Sequence, residues 1–116
     1  HGADPEQGAL VIGEQVRIGQ TLRFHVRDAG SATEDLDEAL THAREALDGR
    51  AAGALVFTCN GRGTRMFGAP DHDAAAVSES LSSPALAGMF CNGEIGPVGG
   101  KTFLHGFTAT LAVFSS

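Results

Sequence analysis

The sequence predicts an α+β fold: a two-layer sandwich with a mixed sheet of about five strands and two helices, in the order ββαβαββ. Three observations carry this. Two stretches with helical spacing of apolar residues, 31–48 and 71–81, are interleaved with apolar runs of strand length. Cys-Asn-Gly occurs twice, at Cys59-Asn60-Gly61 and Cys91-Asn92-Gly93, each time directly after such a run. The segment between the copies reads as one crossover helix, so the two strands should be parallel and leave the same rim of one sheet.

Taken in order, residues 1–8 are polar and read as a tail or linker. Ala9-Leu10-Val11-Ile12 is a short strand. Val16-Arg17-Ile18 alternates and leads into Gly19-Gln20, a turn with Gly first, as a type II′ hairpin prefers. Residues 21–27 alternate, with Leu22, Phe24 and Val26 on one side and Thr21, Arg23, His25 and Arg27 on the other. Such a strand covers a core on one face only; its polar face meets water or a second domain. Residues 31–48 form the clearest helix. Ser31 and Glu34 make a capping box. Leu36, Leu40, Ala43 and Leu47 make one apolar stripe, and Gly49 ends it. The acids Asp35, Asp37, Glu38 and Glu45 form a solvated face.

Residues 54–59 lack alternation, as expected of a strand covered on both faces. A loop over 60–70 follows. Asp71 or Asp73 caps a shorter helix that ends near Leu81, with Ala74, Val77 and Leu81 inward, and Ser83-Pro84 stops it. Residues 86–91 are the fourth strand and 92–100 a Gly-rich loop. The last strand, 102–114, puts Phe103, His105, Phe107, Ala109, Leu111 and Val113 on one side. Crossovers are right-handed, which places both helices on the same face of the sheet unless the strand order reverses between them.

A chain of 116 residues is one domain, spanning 1–116. Its net charge of −6 and its scattered arginines speak against sequence-blind nucleic-acid binding, which needs a clustered basic surface. No apolar stretch approaches the ~20 residues that span a bilayer, so no membrane partner is expected. There is no signal peptide, and the chain opens at His1 without a Met, which suggests a processed product or one part of a longer protein. Two cysteines at equivalent points of a repeated motif read as reduced thiols in a cytoplasmic protein. A bond between them is the alternative, and it requires immediate strand neighbours.

The candidate site is the pair of Cys-Asn-Gly turns. Asn and Gly tolerate left-handed backbone angles, so each strand can bend sharply and leave N–H groups pointing outward. The ligand-binding set expected there is Cys59, Asn60, Gly61, Arg62, Gly63, Arg65, Cys91, Asn92, Gly93, Glu94 and His105. Arg62, with Arg65, would hold a carboxylate or phosphate through a planar fork. Glu94 would take an amine or pair with Arg62. His105, between Phe103 and Phe107, is either a hydrogen-bonded core residue or a ligand contact. No catalytic residue, metal site or cofactor is assigned: the Cys and His spacing is not that of a metal site. Thiol chemistry by Cys59 or Cys91 with His105 is the enzymatic alternative, though no third group orients the pair. His25, His42 and His72 read as ordinary surface residues. Gly96-Pro97-Val98-Gly99-Gly100-Lys101-Thr102 resembles a P-loop ending, but its first glycine is misplaced and a strand follows where a helix is needed. Gly61-Arg62-Gly63 opens like a dinucleotide fingerprint, yet Met66 stands at the third glycine.

Three ordered motifs resemble the FIST C-terminal domain, named for F-box and intracellular signal transduction: Cys59-Asn60-Gly61-Arg62-Gly63, then Gly93-Glu94-Ile95-Gly96-Pro97, then Leu104-His105-Gly106-Phe107-Thr108-Ala109-Thr110. The resemblance covers nearly the whole chain. It implies an intracellular sensory module that binds a small molecule, with amino acids among the proposed ligands. It also implies an N-terminal FIST half or a signalling domain as partner. A purely structural or protein-interaction role is the remaining alternative. No catalytic residues come with the resemblance.

Overall fold

A computed structural model describes residues 2–47, 50–82 and 85–116. The chain opens with a hairpin of β1 (Gly2–Asp4) and β2 (Ala9–Val11), paired antiparallel. Asp4 makes the turn: its Oδ1 accepts from Glu6 N and Gln7 N, both at 3.1 Å, a local arrangement that Asp favours. Residues 2–8 therefore belong to a hairpin and not to a plain tail.

Residues 12–28 form no helix or strand and lie exposed. This corrects the second expected strand at 21–27. Its alternation is real, but among the described residues no strand pairs with it to take its backbone groups, and Phe24 stays 79% exposed. The turn before it does form, with Gln20 N donating to Arg17 O at 3.1 Å. Gly19, with φ +91°, is then the third residue of the turn, as in type II, and not the first residue of a II′ loop.

Helix α1 (Ala29–Ala46) starts three residues earlier than the capping box suggests. Asp28 is the N-cap: its Oδ1 accepts from Ser31 N at 3.0 Å and its Oδ2 from Ser31 Oγ at 2.8 Å. Ala32, Leu36 and Leu40 form its buried stripe. The expected stop at Gly49, and the end of that helix at Asp48, lie outside the described residues.

The rest of the chain builds the sheet. It comprises β3 (Ala51–Cys59), a 3₁₀ turn (Asn60–Arg62), α2 (Thr64–Phe67), α3 (His72–Leu81), β4 (Leu86–Cys91), β5 (Glu94–Val98), β6 (Lys101–His105) and β7 (Ala109–Ser115). β3 is central, with β4 parallel on one side and β7 antiparallel on the other. The expected α+β class and mixed sheet are present. Among the described residues the strands are divided among a three-stranded sheet and two separate hairpins, β1–β2 and β5–β6, and not gathered in one five-stranded sheet.

Three local differences have simple causes. The segment 60–70 contains a 3₁₀ turn and α2, which ends at Gly68 with φ +73°, the left-handed cap glycine allows. The segment 92–100 contains β5 and the tight turn into β6. Gly99 (φ +57°) and Gly100 (φ +78°) supply the two positive angles of a type I′ hairpin. The long last strand is broken between β6 and β7 at 106–108, where Phe107 takes φ +64°.

The core lies on one face of the three-stranded sheet. Leu36 and Leu40 of α1 and Val77 and Leu81 of α3 pack on Ala54 and Val56 of β3, with Leu111 and Val113 of β7 against them. Both helices thus cover the same face, α3 as the crossover between the parallel strands β3 and β4 and α1 packed beside it. Neither Asp71 nor Asp73 caps α3 with its side chain. Asp71 holds the N-cap position with φ +59°, and Asp73 points inward. The stop at Ser83-Pro84 lies outside the described residues.

Candidate functional site

β3 and β4 run parallel in register, with Ala54 opposite Leu86, Val56 opposite Gly88, Thr58 opposite Phe90 and Cys59 opposite Cys91. The two Cys-Asn-Gly segments therefore leave the same ends of adjacent strands. The turns themselves differ. The first continues into the 3₁₀ turn and α2; the second bends directly into β5. Only Gly93 takes a positive φ, +141°, so the left-handed geometry expected of both turns occurs at one glycine. Asn60 and Asn92 are exposed.

Arg62 is buried at 6% exposure, carried by the 3₁₀ turn beneath the start of α3. Its Nε donates to Asp73 Oδ2 at 2.8 Å, and its Nη2 donates to Asp73 Oδ1 at 2.9 Å and to Ala32 O at 3.3 Å. This is the two-pronged geometry that suits a guanidinium to a carboxylate. The fork expected to meet a ligand is committed to Asp73. Thr58 Oγ1 also donates to Asp73 Oδ2, and His72 Nδ1 lies 3.0 Å from Oδ1. Burial pushes the Asp73 carboxyl up, but hydrogen bonds from Arg62, Thr58 and His72, with the charge of Arg62, outweigh it and hold the group below its ordinary value. A carboxylate only accepts, so His72 Nδ1 carries a proton toward it.

His72, expected at the surface, is half-buried. Its Nε2 lies 2.9 Å from Thr33 Oγ1 on α1, and its ring stacks on Phe67 with centroids 3.6 Å apart. The Arg62 guanidinium sits 5.2 Å from the same Phe67 ring. One network thus ties α1, β3, the 3₁₀ turn, α2 and α3 together around Asp73. Sequence reasoning missed Asp73, Thr58, Thr33 and the role of His72. One signal was present: Asp73, Val77 and Leu81 share i, i+4, i+8 spacing, which places a carboxylate on the buried stripe of α3, where it needs a cation.

Beside this network opens a cleft of ≈ 280 Å³, on the helix-bearing side of β3 and β4. Its floor is Val56, Leu86, Gly88 and Phe90; its polar wall is Thr58, Arg62, His72 and Asp73, with Gly63 and Asp71 at the margin. Gly88 keeps the floor low and the strands close: a Cβ there would meet Val56 O at 1.9 Å. The volume falls just below the ~300–1,000 Å³ of drug-sized sites, which restricts the cleft to a small molecule.

The second turn forms a different cluster. Glu94 is 1% exposed and accepts from Gly93 N at 3.2 Å, Thr108 N at 3.3 Å and Thr108 Oγ1 at 3.1 Å. It ties β5 to the entry of β7 and makes no ion pair with Arg62. The outward N–H expected at Gly93 is thereby used. His105 stands opposite Glu94 in the β5–β6 hairpin, and its Nε2 donates to Gly96 O at 3.1 Å. His105 borders a larger hollow of ≈ 610 Å³ between α1, β7 and that hairpin, apart from the Arg62 cleft. Among the described residues no hydrogen bond joins either thiol to His105; the Cys91 thiol points to Met89 O at 3.8 Å. Arg65 is exposed on α2. Gly61 has a packing role, since a Cβ there would lie 2.3 Å from the Phe107 ring. Of the expected set, the cleft gathers Arg62 and Gly63; the hairpin gathers Gly93, Glu94 and His105.

Among the described residues no group of three or more His, Cys, Asp or Glu is placed to hold a metal ion, and no helix is long and apolar enough to cross a membrane. Comparison with known proteins places the chain. It is 55% identical over 113 residues to an uncharacterised protein of Mycobacterium bovis, covering 97% of this chain and 29% of that protein. An uncharacterised protein of Mycobacterium tuberculosis is 54% identical over 113 residues, covering 97% of this chain and 30% of that protein. An F-box/LRR-repeat protein of Arabidopsis thaliana is 28% identical over 100 residues, covering 83% of this chain and 19% of that protein. The chain thus spans about a third or less of the curated relatives it matches. No solved structure matches it significantly. The FIST C domain profile matches residues 1–97, a span that holds both Cys-Asn-Gly turns, Arg62, Asp73 and Glu94. The chain belongs to the FIST C domain family, which is associated with signal transduction.

Proposed function

We propose that this domain senses a small zwitterion, such as an apolar amino acid, that seats in the cleft between α3 and the parallel strands β3 and β4. The observation that carries this reading is the lining of the cleft. An apolar floor of Val56, Leu86 and Phe90 adjoins a wall bearing Arg62, His72 and Asp73, charges of both signs within one network. A ligand carrying one positive and one negative group can join that network without leaving a net charge buried, whereas a simple anion or cation unbalances it. Its apolar side chain would lie on Phe90. Binding would shift the segment 60–70 and the start of α3, which the Arg62–Asp73 network already joins, and a neighbouring region of the longer protein would read the change. The N-terminal FIST half or a signalling domain, in the cytoplasm, is the partner this reading implies.

The test is a thermal-shift and calorimetric screen of amino acids against the full-length protein. A ligand at a hundred times its Kd adds about 2.7 kcal/mol, which such a screen detects. Phe90 is 58% exposed, so Phe90→Ser should leave folding intact and weaken binding. If no amino acid shifts the transition, or if Phe90→Ser binds as the wild type does, the reading fails.

A further inference from the structure

We infer that Cys59 and Cys91 form a dithiol site that hydroperoxides convert, reversibly, to an intramolecular disulfide between β3 and β4. Four observations lead there. The two residues are direct partners in the parallel ladder, so their side chains leave the same face of the sheet. That face is the one turned away from α1 and α3, because Thr58, the neighbour of Cys59, points to Asp73 beneath the helices. Adjacent strands lie ~4.8 Å apart, within the Cα separation that disulfides span. Both are free thiols, and they differ in access: Cys59 is buried and Cys91 half-buried.

Position in the strand matters as much as distance. Neighbouring Cβ atoms of a parallel pair are somewhat farther apart than in a relaxed disulfide. In the middle of a sheet the ladder resists the small approach that is needed. Cys59 and Cys91 are the last residues of their strands, and each is followed by an Asn-Gly turn. Met89, two residues before Cys91 on the same face, is 62% exposed, so an oxidant can reach that face.

The chemistry balances with hydrogen peroxide as oxidant. The more accessible Cys91 sulfur attacks one peroxide oxygen; the O–O bond breaks, Cys91 becomes a sulfenic acid, and water leaves with the thiol proton. The Cys59 sulfur then attacks the Cys91 sulfur. The S–S bond forms, the S–O bond breaks, and the hydroxide leaves as water with the Cys59 proton. Two thiols lose two electrons and the peroxide gains them. A dithiol reductant reverses the step by thiol–disulfide exchange. The bond would staple the two turns that flank Arg62 and Glu94. It depends on no ligand in the α3 cleft, and its test is independent of that reading.

The experiment treats the full-length protein with hydrogen peroxide and maps its peptides by mass spectrometry without reduction. The expected product is a Cys59–Cys91 linked pair, two hydrogens lighter than the separate peptides, formed within one molecule and lost on adding dithiothreitol. Cys59→Ser should remove the link and let the Cys91 sulfenic acid accumulate, captured by dimedone. Cys91→Ser should remove the link and leave Cys59 largely unlabelled. Circular dichroism of both variants checks that they are folded. Three results would overturn the inference: no link while Cys91 proceeds to sulfinic acid in the wild type, links only between molecules, or dimedone capture at Cys59 ahead of Cys91.

Discussion

Replacing Asp73 by Asn tests the network at its centre. The carboxylate accepts four hydrogen bonds: two from Arg62, one from Thr58 and one from His72. Asn has nearly the same shape, but only one of its two ends accepts, and its NH₂ would face a donor of Arg62 or Thr58. Arg62, buried at 5% side-chain exposure, would be left without its counter-charge. Breaking a buried pair in this way costs about 3–5 kcal/mol. A domain of this size holds roughly 5–15 kcal/mol in total, so the loss is a large share of its stability. Urea unfolding followed by circular dichroism measures it. The double variant Arg62→Met/Asp73→Leu removes both charges and should recover most of the loss, because apolar replacement of a buried pair is often neutral. The reasoning is refuted if Asp73→Asn stays within about 1 kcal/mol of the wild type, the value of a solvated surface pair. It is equally refuted if the double variant is no more stable than Asp73→Asn.

Other expectations follow from the same structure. The Asp73 carboxyl is held below its unfolded value of 3.8, so its contribution is complete above that pH and is lost as the pH falls below it; urea midpoints below pH 4 should fall more steeply for the wild type than for Asp73→Asn. Leu40→Ala, at a site 1% exposed between α1 and the sheet, should cost about 2–5 kcal/mol in the same assay. Gly61→Ala should lower the melting temperature because its Cβ would press on the Phe107 ring, and adding Phe107→Ala should restore part of the loss, giving a non-additive cycle.

The sequence made the scaffold readable where one element's pattern sufficed. Matched apolar runs before two identical tripeptides pointed to two strands leaving one rim, while their direct pairing, Cys59 opposite Cys91, is a feature of the structure; helical spacing identified Leu36, Leu40, Val77 and Leu81 as core. It misled where the deciding contact is distant. Residues 21–27 alternate as a strand does, but a strand also needs a neighbour, and alternation does not supply one. Arg62 looks like a ligand clamp until Asp73, eleven residues on, is seen to fill its fork. Asp73 itself reads as a helix cap, although its spacing to Val77 and Leu81 sets it on the buried stripe. Ser31 and Glu34 satisfied the capping rule, yet Asp28 came first and bound Ser31 itself. Glycine density at 92–100 suggested a loop, while Gly99 and Gly100 were serving the turn between two strands.

β4 has one consequence beyond the cleft. Among the described residues it pairs with β3 alone, so its far side is the edge of the sheet, and Met89 and Phe90 on it are exposed. An edge of this kind is a template for any extended apolar segment. The chain on its own should self-associate through this margin as concentration rises, and a lysine in place of Met89 should suppress that.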